Sequence, residues 1–545
     1  MLEFGGAGNR ISEVGMFDSQ IYARRGLPFD VNDYPEPTRT LLKEKLRTVE
    51  DIVRDLPRSF RIFCTFAAGQ PRGLMRQMGE RHDWADVTYA GALTFEPYRF
   101  MAHPGVQLWS PYYSPVDRAI AHTMGKTVAL IPKNYGQLEG LGKQPGLLDY
   151  VGHAATPPDA DGWLNLGVNC DLMQPFLDHF GQMRPNGARL IVEINSHMPW
   201  VCGDEASGGN RVHLSQVDFV YENHEPLPQV APIKASSVEE RIGQNVLPFI
   251  EDGDTLQLGI GGLPGYIATH LRDRRGLKVH TEMLNDAYVD LDEAGAIDCS
   301  GKAWMDGRIV GTFAAGTDRL YDWLDRNPRV ALMPIGLTND PYSIGRNRRL
   351  KSVNSCLMVD LHGQICSDAV GFRQLTGIGG QGEFVMGAQR SEGGRSILCL
   401  KSTRNVRGHR MSTICATLPP GTPVTVTRHY ADVIVTEYGA AEVRYLEAIG
   451  RARALVGIAH PDFQQSLIGK AEKVGLWDRK PGFATFKQRA IYNNAAQVGL
   501  LKKAIAKHPD RKGRILMAEV KKAIAQPGLF KRLVAFYKEN AKPME

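Results

Sequence analysis

The chain repeats one pattern of apolar runs and helical stretches in each of its halves, and this repeat constrains its fold more than any other feature. The segments "IFCTFAAGQPRGLMRQM" (62–78) and "LQLGIGGLPGYIATHL" (256–271) both join an apolar run, small residues, a proline and a helical apolar stripe. Three further pairs keep the same order along the chain: 127–134 with 329–336, 161–167 with 362–368, and 188–195 with 395–402. The repeat predicts an α/β protein of two homologous α/β domains with mainly parallel sheets.

The segment "HEPLPQVAPIKASSVEERIGQNV" (224–246) predicts the boundary between the two halves, because it is rich in proline and then opens a helix. Ser236 and Ser237 are candidate N-caps, and the acidic pair at 239–240 suits a first helical turn. We therefore predict three regions: an N-terminal α/β domain at 1–235, a C-terminal catalytic α/β domain at 236–465, and a basic helical extension at 466–545.

The end of the chain is strongly basic. Residues 501–545 hold twelve Lys and Arg but four acidic residues, an excess larger than the net charge of +6 of the whole 545-residue chain. A basic segment can bind nucleic acid or another anion. Its apolar residues keep helical spacing, however, which favours a solvated helical appendage. We expect no nucleic-acid partner, and the role of this segment stays open.

The composition favours a cytoplasmic enzyme. No apolar run approaches the roughly 18–20 residues of a membrane helix, and the first residues lack the pattern of a secretory signal. The eight cysteines show neither C-x-x-C nor C-x-x-H spacing, which is typical of a reducing compartment and argues against a metal site. We therefore expect a cytoplasmic protein that binds no membrane and no metal.

One carboxylate stands out in "LKVHTEMLNDAYVDLDEAG" (277–295), where Glu282 directly follows a short apolar run. The corresponding segment of the first half, "ADVTYAGALT" (85–94), has no carboxylate at that place. A carboxylate needed only for folding would be expected in both copies, so its presence in one copy favours a chemical role. His280 could tune this carboxylate, although a strand histidine that packs against its neighbours is the more common case.

The glycine loop "GIGGLPG" (259–265) has two readings. It can be a tight strand-to-helix turn, for which glycine is suited by its backbone freedom. It can also be a dinucleotide loop, with an acid about twenty residues further on to bind the ribose. The spacing G-x-G-G-x-x-G and the position of Pro264 match the dinucleotide pattern poorly.

A second glycine loop, "LTGIGGQGEFVMGA" (375–388), lies in the same half. Two glycine-rich turns offer unshielded backbone N–H groups, which suit an anionic ligand or the oxyanion of acyl transfer. No motif pairs a serine or cysteine with a histidine. One carboxylate between two such loops therefore favours covalent catalysis by the carboxylate.

These segments together resemble the acetyl-CoA hydrolase/transferase family of family I CoA-transferases, which includes succinate, acetate and 4-hydroxybutyrate CoA-transferases. The resemblance spans roughly residues 85–470 and implies two similar α/β domains with the active site between them. The motifs that carry it are "GIGGLPG", "HTEMLNDAYVDLDEAG", "VNSCLMVDLHGQICSD", "TGIGGQGEFVMGAQRSEGGRSI", "DVIVTEYGAAEVR" and "RARALVGIAHPDF".

The resemblance also implies roles for individual residues. Glu282 would be the nucleophile, and the backbone amides of Ile260 and Gly380 would form the oxyanion hole. The residues that would contact coenzyme A are Gly259, Gly261, Gly262, Asn354, Gly377, Gly379, Gly380 and Lys401.

The implied reaction is ping-pong transfer of CoA between an acyl-CoA and a short-chain carboxylate, through a glutamyl-CoA thioester. Acyl-CoA and a small carboxylate would be the substrates, with no permanently bound cofactor, and we expect a homodimer. An acyl-CoA hydrolase that uses the same glutamate is the first alternative, and a nucleotide-dependent oxidoreductase is the second. The segments "QGEF" and "YGAAEVRYLEAIG" depart from the usual sequence of the family. The identity of the acyl group that the protein transfers therefore stays open.

Overall fold

The computed structural model describes residues 26–477, apart from residues 143, 145 and 184–187. These residues belong to one compact unit that ends at Trp477. The predicted boundary at 465–466 falls inside the helix Pro461–Lys473. The basic segment 501–545, with its predicted helices, lies outside the described residues.

The first half contains a seven-stranded sheet in which all neighbouring strands are parallel. The chain fills one side of the sheet from Ser59–Cys64 outward, and then returns to fill the other side from Tyr150–Ala155. The order reverses between these two central strands, and such a switch point leaves a crevice at the carboxyl ends. The strands in spatial order are Val128–Leu130, Val106–Ser110, Asp86–Ala90, Ser59–Cys64, Tyr150–Ala155, Arg189–Ile194 and Phe219–Glu222.

The second half contains a six-stranded sheet that is parallel except for one hairpin at its edge. Its order reverses between Thr255–Leu258 and Leu350–Ser355, as the order of the first sheet does at its centre. The strands in spatial order are Lys278–Val279, Thr255–Leu258, Leu350–Ser355, Arg395–Cys399, Val433–Thr436 and Gly439–Glu442. The predicted α/β class with mainly parallel sheets is confirmed.

Helices connect the strands and cover both sheets. The helix Ser237–Val246 begins where the sequence predicts it, because Ser236 caps it and Glu239 completes a capping box. The helices of seven residues or more in the described part are Thr38–Lys45, Val49–Asp55, Arg72–Met78, Pro115–Thr123, Met173–Met183, Ser237–Val246, Gly262–Thr269, Asp286–Glu293, Asp318–Leu324, Gln381–Arg390, Ala448–Gly457 and Pro461–Lys473. None of the helices in this described part is long and apolar enough to cross a membrane.

The repeated segments do not all take equivalent places. Val128–Leu130 is the edge strand of the seven-stranded sheet, whereas its sequence partner Val330–Leu332 pairs with Ile309–Gly311 in a separate ladder. The remaining small ladders pair Met283–Leu284 with Phe313–Ala314, Met358–Asp360 with Ile365–Cys366 and Ile414–Cys415, Ala369–Val370 with Arg373–Gln374, Thr403–Val406 with His409–Ser412, and Trp163–Asn165 with Arg211–His213.

Backbone hydrogen bonds join the two halves close to these small ladders. Cys170 donates its N–H to the carbonyl of Thr312 at 3.1 Å, and Ala314 donates to Val168 at 2.8 Å. A third bond runs from the N–H of Ile335 to the carbonyl of Asp171 at 3.0 Å. A segment of the first half thus lies directly against the segment that follows Glu282 in the folded second half.

Candidate active site

Glu282 lies at the carboxyl edge of the second sheet. It follows the strand Lys278–Val279, which runs parallel to Thr255–Leu258. Its backbone carbonyl accepts a hydrogen bond from the N–H of Thr312 at 2.9 Å, and its side chain is half-buried. Because parallel strands end at the same edge, Glu282 shares this edge with the loops that follow the neighbouring strands.

Two groups of the second half hold the carboxylate of Glu282. Asn339 donates from Nδ2 to Oε2 at 2.8 Å, and the backbone N–H of Gly380 forms a second hydrogen bond. A Cβ atom at Gly380 would lie 1.9 Å from Oε2 of Glu282 and 2.2 Å from Nδ2 of Asn339. A larger residue at this position would therefore displace the ends of both side chains.

A second carboxyl group shares the amide of Asn339. Glu383, in the first turn of the helix Gln381–Arg390, accepts from Asn339 Nδ2 at 3.0 Å. The same oxygen of Glu383 accepts the backbone N–H of Gly136 at 3.1 Å. Since Gly136 belongs to the first half, this contact extends the site across both halves.

The first half supplies a second buried polar pair. Tyr135 donates its hydroxyl to Asp171 at 2.6 Å, and its backbone N–H donates to the carbonyl of Gly379 at 3.1 Å. Tyr112 packs against the same glycine loop, where a Cβ atom at Gly377 would lie 2.5 Å from the Tyr112 backbone. The second glycine loop is therefore enclosed by residues of the first half.

The electrostatics of this site favour protonated carboxyl groups. Burial raises the pKa of Glu282 to about 7, against the hydrogen bonds from Asn339 and Gly380, and the nearby charge of Asp171 raises it further. Burial likewise raises the pKa of Asp171 to about 6. A carboxylate with a raised pKa is more basic and hence a better nucleophile once it is ionised.

The raised pKa of Glu282 predicts an acid limb in the pH profile of activity. If Glu282 is the nucleophile and acyl-CoA the substrate, as the resemblance implies, only the ionised carboxylate can attack, and kcat/KM should rise with pH and level off above about 7. Asp171→Asn removes a neighbouring negative charge and should move this limb to lower pH. The measurement is kcat/KM from pH 5 to 9 for both proteins, and a limb at the ordinary glutamate value of 4.5 would contradict the assignment.

The first glycine loop, 259–262, follows the strand Thr255–Leu258 and opens the helix Gly262–Thr269. Gly261 has a φ of 112°, which favours glycine, and Gly262 approaches the backbone of Ala235 so closely that a Cβ atom would lie 2.9 Å away. The side chain of Ile260 is 57% exposed. Pro264 lies in the first turn of this helix, where proline is tolerated because the N–H groups there have no intrahelical partner.

The remaining predicted residues lie at the same edge. Asn354 is in the last part of the strand Leu350–Ser355, beside Gly259, and both its side-chain atoms bond to Gln257. Lys401 follows the strand Arg395–Cys399, is half exposed and forms an ion pair with Glu239 at 3.2 Å. The structure thus places Gly380 against Glu282, and places Gly259, Asn354 and Lys401 on neighbouring strands of the same edge.

His280 has a structural position. Its buried ring donates from Nε2 to the carbonyl of Thr338 at 2.7 Å, and its Nδ1 faces the Asn347 amide at 3.1 Å. Burial and the charge of Lys302 lower its pKa to about 3, so the ring is neutral at physiological pH. Its bond to Thr338 fixes the backbone next to Asn339.

Comparison with known proteins assigns the family. The acetyl-CoA hydrolase/transferase N-terminal domain matches residues 33–232, and the C-terminal domain of the same family matches residues 316–471. The 4-hydroxybutyrate coenzyme A transferase of Clostridium kluyveri is 33% identical over 444 residues, which are 79% of this chain and 98% of that protein. The chain belongs to the acetyl-CoA hydrolase/transferase family. The resemblance to this family that the sequence motifs indicate is thereby confirmed.

Two further comparisons agree with this family. The butyryl-CoA:acetate CoA-transferase of Anaerostipes caccae is 38% identical over 358 residues, which are 64% of this chain and 77% of that protein. The crystal structure of RipA from Yersinia pestis superposes with a TM-score of 0.71 at 31% identity, over 81% of this chain and all of that one. This family member therefore shares the fold of the RipA structure along most of its described length.

Sequence reasoning missed several residues of the site in this acetyl-CoA hydrolase/transferase family member. They are Asn339, Glu383, Tyr135, Gly136 and Asp171, of which the last three come from the first half. One signal was present, because Tyr135 and Gly136 follow the segment 127–134, and Asn339 follows its repeat partner 329–336. The repeat therefore marked the loop that brings Asn339 to Glu282 and the loop of the first half that contacts Glu383.

Proposed function

We propose that this protein is a CoA-transferase that moves CoA between an acyl-CoA and a short-chain carboxylate through covalent intermediates on Glu282. The names of its relatives support the reaction class, since they include 4-hydroxybutyrate coenzyme A transferase and butyryl-CoA:acetate CoA-transferase. The observation that carries the proposal is the placement of Glu282. Its carboxylate is half-buried at the edge where both glycine loops lie, and it accepts hydrogen bonds from the amide of Asn339 and from the backbone N–H of Gly380.

The first half-reaction uses the two oxygens of Glu282 differently. Oε2 accepts from Asn339, so Oε1 attacks the thioester carbonyl carbon of the acyl-CoA. The carbon–sulfur bond breaks, CoA leaves as the thiolate, and a mixed anhydride remains on Glu282. The thiolate then attacks the carbonyl carbon of Glu282, whose bond to the bridging oxygen breaks. The donor carboxylate leaves, and a glutamyl-CoA thioester remains.

The second half-reaction reverses these steps with another carboxylate. The acceptor attacks the thioester carbon of Glu282 and releases the thiolate, which then attacks the acyl carbon of the new anhydride. A new acyl-CoA leaves and the carboxylate of Glu282 is regenerated. The electron pairs balance without any net gain or loss of a proton.

The contacts to Oε2 give these steps an oxyanion site. When sulfur attacks the carbonyl carbon of Glu282, negative charge develops on Oε2, which already accepts from the amide of Asn339, and the N–H of Gly380 also bonds to this carboxyl group. An aimed donor of this kind contributes roughly 3 kcal/mol to the transition state. The family resemblance implies such a role for Gly380 and Ile260, and we keep Ile260 as the proposed donor to the oxyanion on the substrate.

The CoA moiety would lie along the carboxyl edge of the second sheet. Gly259, Gly261 and Gly262 present backbone N–H groups at a helix N-terminus, which suits phosphate. Asn354 lies on the next strand and Lys401 follows the strand after it, while Gly377 and Gly379 belong to the second loop. Binding energy from these remote contacts would position the thioester against Glu282.

Acyl-CoA hydrolysis on the same glutamate is the second candidate, because the family includes hydrolases as well as transferases. Water that reaches the anhydride or the thioester would complete hydrolysis in place of the acceptor. Addition of acetate or succinate separates the two, since a transferase consumes acyl-CoA much faster with an acceptor than in its absence. The nucleotide-dependent oxidoreductase is the weakest reading, because Glu282 is held by an amide and an N–H and its relatives are acyl-transfer enzymes.

Mass spectrometry tests the covalent intermediate directly. The full-length protein is incubated with acetyl-CoA or butyryl-CoA without an acceptor, quenched in acid and digested. We expect CoA on the peptide that contains Glu282 in the wild type, and no adduct in Glu282→Gln. A wild-type protein that consumes acyl-CoA rapidly while Glu282 stays unmodified would overturn the mechanism.

A further inference from the structure

The amide of Asn339 is shared between two carboxyl groups. Its Nδ2 lies 2.8 Å from Oε2 of Glu282 and 3.0 Å from Oε2 of Glu383. An amide nitrogen carries two hydrogens in a fixed plane, so each carboxyl group takes one of them. The nucleophile and Glu383 are therefore joined through a single side chain.

The orientation of this amide depends on its nitrogen alone. Oδ1 of Asn339 is buried and has no hydrogen-bond partner among the described residues. If Glu383 were absent, only Glu282 would distinguish the nitrogen from the oxygen of the amide. Rotation of the amide would then place Oδ1 against the carboxylate, where it repels the charge that the nitrogen attracts.

Glu383 itself is held firmly. Its side chain is 4% exposed, and the oxygen that accepts from Asn339 also accepts the backbone N–H of Gly136 at 3.1 Å. Its other oxygen fits closely against Gly136, where a Cβ atom would lie 2.7 Å away. The group that orients Asn339 is thus anchored on the first half of the chain.

We propose that Glu383 is a positioning residue for the nucleophile: it fixes the amide of Asn339 so that one N–H points at Glu282, and it couples this arrangement to the first half through Gly136. This inference rests on the proposed role of Glu282 and adds a residue that acts through another one. From the helix Gln381–Arg390, Glu383 reaches both Asn339 and Gly136.

The charge states around Glu383 fit this role. Burial raises the pKa of Glu383 to about 8, opposed by the bonds from Asn339 and Gly136, while the charges of Glu282 and Asp340 raise it further. Asp171, bonded to the hydroxyl of Tyr135, also raises the pKa of Glu282. Burial and the neighbouring charges thus favour a neutral Glu383, which accepts the amide hydrogen without placing a second negative charge beside the nucleophile.

Three full-length variants test the positioning role. Glu383→Ala removes the acceptor, Glu383→Gln keeps a neutral acceptor oxygen, and Glu193→Gln is the matched control. Glu193 is also buried and also accepts a backbone N–H and a side-chain donor, but it does so at Gly73 and Tyr221 in the first half. The control measures the cost of altering any buried glutamate of this kind.

The kinetic readout is the rate of CoA-adduct formation with butyryl-CoA as a function of pH. Glu383→Ala should lower the maximal rate by about tenfold and change KM for butyryl-CoA by less than about threefold, because the nucleophile is misplaced while the CoA contacts remain. Glu383→Gln should keep most of the rate and the same rise with pH, because its amide oxygen can still accept from Asn339. Glu193→Gln should keep both the rate and the rise with pH.

The structural readout does not depend on activity. Crystal structures of the wild type, Glu383→Ala and Glu383→Gln give the distance from Asn339 Nδ2 to Glu282. We expect the contact in the wild type and in Glu383→Gln, and its loss in Glu383→Ala. An unchanged Asn339 and an unchanged rate in Glu383→Ala would overturn the positioning role. Absence of any adduct in the wild type would instead overturn the proposed function, while the crystal structures would still decide the role of Glu383.

Discussion

Replacement of Glu282 with glutamine is expected to lower the turnover of CoA exchange by at least about 10⁴-fold, as loss of a covalent nucleophile does in other acyl-transfer enzymes. Glutamine has the size of glutamate, and its oxygen can still accept from Asn339 and Gly380. It lacks the anionic oxygen that would attack the thioester. The measurement is transfer of CoA from butyryl-CoA to acetate at pH 8, together with the Kd of CoA, which should stay unchanged.

Two further variants make this result specific. Glu282→Asp keeps the charge but withdraws it by one methylene, and such a displacement costs about 10²-fold in rate. Glu293→Gln is a neutral control at the end of the helix Asp286–Glu293, where Glu293 pairs with Arg319 and is exposed. The rate is expected to be highest for Glu293→Gln, lower for Glu282→Asp and lowest for Glu282→Gln. If the glutamine variant exchanges CoA at the wild-type rate, Glu282 only anchors a ligand.

The sequence predicted the fold well where a pattern had a local cause. The strands Ser59–Cys64 and Thr255–Leu258 lie in the repeated segments and are interior strands of their sheets, because apolar runs of this kind require burial on two faces. The cap at Ser236 was equally local. The different places of Val128–Leu130 and Val330–Leu332 were not predictable, since strand pairing depends on distant partners. The division into domains at 235 and 465, the homodimer and the cytoplasmic location stay predictions.

Among the residues that surround the carboxylate, the sequence predicted only Glu282 and Gly380. Gly380 and Glu282 stand in motifs, and the structure brings them together. Asn339 lies 57 residues from Glu282, and Gly136 lies 247 residues from Glu383, so no spacing along the chain relates them. The charge states of Glu282 and Glu383 could not be predicted either, because their raised pKa values result from burial, which the fold creates. A repeat unit indicates which loops meet, but the side chains in them become functional only after the halves pack.

Gly380→Ala is expected to lower the rate of adduct formation by at least about 10²-fold, since displacement of a reacting group by about 1 Å has that effect. The new Cβ atom would lie 1.9 Å from Oε2 of Glu282, whereas real Cβ contacts essentially never fall below 3.0 Å. The φ of Gly380 is −91°, so alanine can adopt the backbone conformation without strain. Its N–H group is also retained. The loss would therefore come from displacement of Glu282 and Asn339, and not from a missing donor.

Gly469→Ala is the matched control for this variant, because Gly469 lies within the helix Pro461–Lys473 and a Cβ atom there meets nothing within 4 Å. Thermal unfolding of both proteins separates a local from a global effect. If Gly380→Ala folds as the wild type does and loses adduct formation, the position of Oε2 limits the reaction. If it forms the adduct at the wild-type rate, the nucleophile can react from a displaced position. The close fit of Gly380 to Glu282 would then serve packing alone, and the oxyanion site assigned to Gly380 and Asn339 would have to be abandoned.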